Sequence, residues 1–186
     1  MKKCNKSVVI DACIAKSASE REHPISSNCR EFLETIRTSD CKIVFNKELL
    51  DEWNKHQSLY TKRWRASMVA RKRVQIIKDS RNNELRDTIV LVIQNEKVRI
   101  AVMKDVHLVE VASYSDKIIF SKDNTMRRLL GELSSKINCF QEILWLDPSN
   151  EKEGIVEWLK EGAKINKEFT LGFLGRGAYI EAAADK

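Results

Sequence analysis

Short apolar runs alternating with helix-patterned stretches constrain this chain more than any other feature. Val8 to Ile10, Lys42 to Phe45, Lys117 to Ser121 and Ile143 to Leu146 each read as a short strand, the last stopped by Asp147-Pro148. Asn28 to Arg37 carries Phe32, Leu33 and Ile36 at helical spacing behind Ser26-Ser27-Asn28, a cap signal. Asn46 is placed to cap a helix through Glu48, Leu49, Leu50 and Trp53, which sets Glu48 in its first turn. Thr88 to Ile93 is strand by propensity or buried helix by length, and the longer flanking pattern favours helix. Asp105 to Ser115 and Thr125 to Ile137 read as amphipathic helices. Alternation of this kind predicts an α/β protein, a three-layer α/β/α sandwich around a mostly parallel sheet.

The longest apolar run, Ile89 to Ile93, is far short of the roughly 20 residues that span a bilayer, so no membrane partner is expected. The apolar stretch behind Met1-Lys2-Lys3 is broken at once by Asp11 and Lys16, unlike an export signal, and a cytoplasmic location is expected. Five cysteines, at 4, 13, 29, 41 and 139, are scattered and lack Cys-x-x-Cys spacing. A disulfide framework or thiolate zinc site is therefore not expected, and Cys13, Cys41 and Cys139 read as small core residues. His23, His56 and His107 are isolated, and no zinc-binding or phosphate-loop motif occurs. His107 is expected on the surface, across the helix from Asp105.

The net charge of +6 leans toward an acidic partner, nucleic acid first. From Thr61 to Lys78 the chain carries Lys62, Arg63, Arg65, Arg71, Lys72, Arg73 and Lys78 without an acidic residue. The stretch is read as helical to about Lys78. It suits phosphate binding, with Arg127 and Arg128, and suits equally a solvated face. Tyr60, Trp64 and Met68 recur every four residues, as on a packed helix face.

Four acids stand out. Asp11 closes the first strand, Asp123 follows the Lys117 to Ser121 strand, and Glu48 and Asp105 lie in helical stretches. In open α/β sheets the carboxyl edge of the strands is where ligands sit. Each acid also has an ordinary reading: Asp11 and Asp123 as helix caps, Glu48 as first-turn dipole partner, Asp105 as solvated surface.

In order and setting, Val8-Val9-Ile10-Asp11-Ala12, Glu48 after a strand, Asp105 to Ala112, and Ile118-Ile119-Phe120-Ser121-Lys122-Asp123 resemble a PIN-domain protein. The resemblance runs from about residue 6 to about residue 148. It implies a PIN-like nuclease domain over 1–148 and leaves 149–186 as a C-terminal helical extension. Within that extension the glycine-punctuated tail from Gly172 to Gly177 is read as packed chain. The implied activity is a Mg²⁺- or Mn²⁺-dependent endoribonuclease hydrolysing RNA, with Asp11, Glu48, Asp105 and Asp123 as metal ligands. Ser121 and Asn124 would support the ligands by hydrogen bonds. The alternatives are a catalytically silent RNA-binding or protein-interaction module and the toxin half of a toxin–antitoxin pair, which would have a protein inhibitor. Homodimers are common in the family.

Overall fold

The structure, a computed structural model, describes residues 4–175. Arg176 and Gly177 of the tail, and the rest of the extension to Lys186, lie outside the described residues.

Five strands, β1 (Ser7–Ile10), β2 (Lys42–Phe45), β3 (Val74–Ile76), β4 (Ile118–Phe120) and β5 (Leu144–Leu146), form one open sheet in the order 3-2-1-4-5. Every pairing is parallel. Val8, Val9 and Ile10, Ile118 to Phe120 and Leu144 to Leu146 are all buried. Consecutive strand residues point to opposite faces, so both faces of the sheet are covered, in keeping with a three-layer arrangement. The helices are α1 (Ala12–Ser17), α2 (Pro24–Thr38), α3 (Lys47–His56), α4 (Leu59–Ala70), α5 (Asn83–Val92), α6 (Glu96–Ala112), α7 (Asn124–Leu133) and α8 (Ile155–Lys160). None among the described residues is long and apolar enough to cross a membrane.

Local signals account for several boundaries. The Asn46 side chain accepts from the Leu49 amide, 2.8 Å, and opens α3 as its sequence predicts. Asn82 and Asn95 cap α5 and α6 in the same way, and the stretch from Thr88 is helical as far as Val92, with Ile93 as the extended cap. α2 begins four residues before Asn28, at Pro24, because proline pre-sets the first helical φ and needs no amide partner there.

The basic segment departs from expectation. Its helix ends at Ala70, Lys72 adopts a left-handed φ of 57°, and Val74 to Ile76 pair with β2 as an edge strand. The Arg73 guanidinium holds this turn, donating to the carbonyls of Ser39 and Arg37 and to the Asp40 carboxylate. A helix continued to Lys78 would forfeit those bonds and leave β2 unpaired on that side.

Chain beyond β5 packs on the same core. Ile155, Leu159, Ala163 and Leu171 join the buried cluster, and the Leu171 amide donates to the Ile143 carbonyl, 2.9 Å. A Cβ on Gly175 would lie 2.0 Å from the Gly131 carbonyl oxygen, so a side chain is excluded at this approach to α7.

Candidate functional site

Strand order reverses between β1 and β4, the point at which an open α/β sheet leaves a crevice at its carboxyl edge. Asp11 follows β1 and Ser121 to Asp123 follow β4. The Asp11 amide donates to the Phe120 carbonyl, 2.9 Å, locking the two strand ends together. From the other side the Trp53 indole N–H donates to the Ile10 carbonyl, 2.7 Å, with its ring edge-on to Phe45.

Ser121 is fully buried between the two aspartates. Its hydroxyl donates to Asp11 Oδ2, 2.6 Å, and accepts from the Asp123 amide, 3.1 Å. Asp11 Oδ1 accepts from the Cys13 amide, 3.0 Å, and Asp123 Oδ1 from the Met126 amide, 2.7 Å, so both acids cap the helices they precede. A carboxylate has about four acceptor positions, so capping leaves each able to bind more. The Cys13 thiol accepts from the Lys122 amide at 3.3 Å. Burial, with the Asp11 charge beside it, pushes this thiol up in pKa, which disfavours the nucleophilic thiolate.

Asp11, Asp105 of α6, Asp123 and Glu52 of α3 line one cleft of about 280 Å³, with Lys16 and Lys104 adding positive charge. Asp105 is half-buried and its carboxylate has no hydrogen-bond donor among the described residues. Burial pushes its pKa up to about 6; Lys104 opposes this, and the charges of Asp11 and Asp123 add to it.

The folded state therefore holds the Asp105 proton more tightly than the unfolded chain. Between about pH 4 and pH 6 this group makes the protein less stable as pH rises, and the deficit persists above pH 6. In chelator, urea denaturation of Asp105→Asn should show a flatter pH dependence and a gain over wild type at pH 7.5. An unchanged pH dependence would mean that Asp105 is solvated like a surface acid.

Glu48 is not brought to this cleft, contrary to expectation. It is half-exposed and lies 3.5 Å from Arg86, which is committed to the buried Glu110. Glu52 occupies the cleft instead. Residues four apart share a helix face but differ by one turn along the axis, so first-turn position marked Glu48 while the turn that reaches the strand ends carries Glu52. His107 also corrects its expectation: it is 3% exposed, with Nε2 3.5 Å from Glu52 Oε2 and Nδ1 3.1 Å from the Lys104 carbonyl. Asn124 turns away, donating to Asp147 Oδ2 at 3.1 Å.

The candidate phosphate contacts divide. Arg63 pairs with Glu20, Arg127 with Glu153 and Arg128 with Glu132, while Arg65 donates to Asn54. Arg73 holds the turn before β3. Lys62, Arg71 and Lys72 are exposed. None of these eight lines the cleft, whose cations are Lys16 and Lys104. Glu52, Lys16 and Lys104 escape a sequence reading because nothing local marks which turn of a helix reaches a strand end.

Among the described residues no three Asp, Glu, His or Cys side chains stand close enough together to enclose a metal ion. The acids line a shared space without closing on one point. These features define the class: an α/β protein with an acidic cleft at the switch point of an all-parallel sheet. No family model matches the chain, and no curated protein or solved structure matches it either.

Proposed function

We propose that this chain is a PIN-like, Mg²⁺- or Mn²⁺-dependent endoribonuclease whose cleft acids are Asp11, Glu52, Asp105 and Asp123. The observation that carries the reading is Asp105, a half-buried carboxylate without a hydrogen-bond donor among the described residues, lining one cleft with Asp11 and Asp123. Such a group is poorly solvated, with only the Lys104 and His107 charges to offset the neighbouring acids, and a hard cation is what oxygen donors of this kind suit. The cleft presents four carboxylates beside one imidazole, His56, and the Cys13 thiol, whose burial disfavours the thiolate, so hard oxygen donors predominate and suit Mg²⁺ or Mn²⁺. When bound, the ion would supply Lewis-acid polarisation of the phosphodiester and a more acidic water.

The chain's own residues do the rest. Ser121 and the Cys13 amide fix both Asp11 oxygens. His107 stands against Glu52, and Lys16 and Lys104 draw a phosphate backbone toward an otherwise repelling cleft.

The test is cleavage of end-labelled single-stranded and hairpin RNA with Mn²⁺, with Mg²⁺ and with chelator, in wild type, Glu52→Gln and Glu48→Gln. Cutting should require metal and fall on the order of 10²-fold in Glu52→Gln, with Glu48→Gln close to wild type. Loss in Glu48→Gln alone would restore Glu48 to the site; cutting in chelator would remove the metal from the reading. A second reading has its own support, because the acids do not close on one point. RNA binding without cutting under any metal would select a silent RNA-binding module.

A further inference from the structure

Away from the cleft, at the amino edge of the sheet, Cys4 lies ahead of β1 and Cys41 ahead of β2. Their Sγ atoms are 2.6 Å apart, about half an ångström beyond a covalent S–S bond. Both are buried, at 1% and 0% exposure. The flanking chain is held in register: the Asp40 amide donates to the Cys4 carbonyl, 2.9 Å, and the Lys42 amide to the Lys6 carbonyl, 2.8 Å. Thirty-seven residues separate the two in sequence, so only the parallel pairing of β1 with β2 brings them together. Cys13, Cys29 and Cys139 have no thiol neighbour among the described residues.

We infer that Cys4 and Cys41 form a reversible intrachain disulfide that ties the start of β1 to the start of β2. The oxidant class is a small-molecule disulfide such as oxidised glutathione. The Cys41 thiolate attacks one sulfur of that disulfide, its S–S bond breaks, and one thiolate leaves. Cys4 then attacks the Cys41 sulfur of the mixed disulfide, gives its proton to the departing thiolate, and closes the intrachain bond. Two electrons pass from the cysteine pair, and one small disulfide becomes two thiols.

The Cys41 thiol suits the attacking role, being pulled down by the hydrogen bond with Cys4, with Ser39 and the Arg73 guanidinium contributing against its burial. Cys4 is pushed up by the same hydrogen bond and by burial, and so keeps the proton until the second step. Because both sulfurs are buried, exchange has to pass through opening of the short segment before β1, and slow formation and slow reduction follow. The bond lies across the sheet from the acidic cleft and would tighten the fold without touching Asp11.

The full chain is incubated with oxidised glutathione at pH 8, denatured with an alkylating agent and digested without reductant. A peptide joining Cys4 to Cys41 is expected, with these two cysteines protected from alkylation. The melting temperature should rise on the order of 10 °C, from the constraint that a loop of this length puts on the unfolded chain, and dithiothreitol should reverse the rise. Cys41→Ala should show neither linked peptide nor rise. Recovery of Cys4 and Cys41 as separate alkylated peptides after prolonged oxidation of wild type, or each carrying glutathione, would overturn the inference without depending on how any variant folds.

Discussion

Asp11→Asn should lose metal-dependent RNA cleavage by a factor on the order of 10²–10³ while the protein stays folded. The substitution keeps the side-chain volume, and the amide oxygen can still accept from the Cys13 amide that Asp11 Oδ1 now caps. The new NH₂ faces the Ser121 hydroxyl, which can accept where it now donates. What disappears is one negative charge and a strong oxygen donor at the meeting point of β1 and β4. Single-turnover cleavage with Mn²⁺ measures the loss, and a thermal melt shows whether the fold is kept. A metal-free readout accompanies it. The Asp11 charge helps hold the Asp105 pKa up, so Asp105 should titrate lower in the variant, as followed by carboxyl NMR shifts. Full activity in a folded Asp11→Asn protein would end the nuclease reading, whatever happens to Asp105.

Arg86→Ala should destabilise the fold by about 3–5 kcal/mol, the usual cost of stranding one member of a buried ion pair. Glu110 is 1% exposed. Its carboxylate takes both arms of the Arg86 guanidinium, Nε and Nη2 each at 2.7 Å, plus the Asn82 amide at 2.9 Å. Without Arg86 a buried charge keeps a single backbone donor. For a chain of this length the melting temperature should fall by about 10 °C. The variant should regain part of the loss as pH drops, because an unpaired buried carboxyl takes up a proton sooner than a solvated one. Replacing both members together, Arg86→Met with Glu110→Leu, should recover most of the stability. A single-variant melt within a degree or two of wild type would show that the site relaxes or hydrates readily. The pair bears on function through position: Glu110 lies five residues beyond Asp105 on α6 and anchors that helix to the start of α5.

Much of the architecture was legible in local patterns. The apolar runs at 8–10, 42–45, 118–120 and 144–146 are strands because a parallel sheet covered on both faces needs continuous hydrophobic segments. Asn46 caps α3 through a bond that spans only three residues. Asp11 and Asp123 could be singled out as candidates because strand ends are visible in sequence, and Asp105, on a helix, through its place in the order of the family-like segments. Features decided at long range were not legible. β3 is three residues on the sheet edge, two of them exposed, and exists through its pairing with β2, so the basic stretch around it read as helix. His107 looked like a surface residue because the helix face it shares with its neighbours carries no mark of what packs there.

By itself the sequence determined the α/β class, the strand ends that carry Asp11 and Asp123, and the absence of any long apolar span, because these depend on interactions within a few residues. The tertiary structure alone decided that Glu52 and not Glu48 reaches the cleft, that Arg73, Arg127 and Arg128 are engaged by the protein's own acceptors, and that Cys4 meets Cys41. Each of those depends on where one element sits against another distant in the chain, and helical or strand periodicity is the same whichever turn makes the contact.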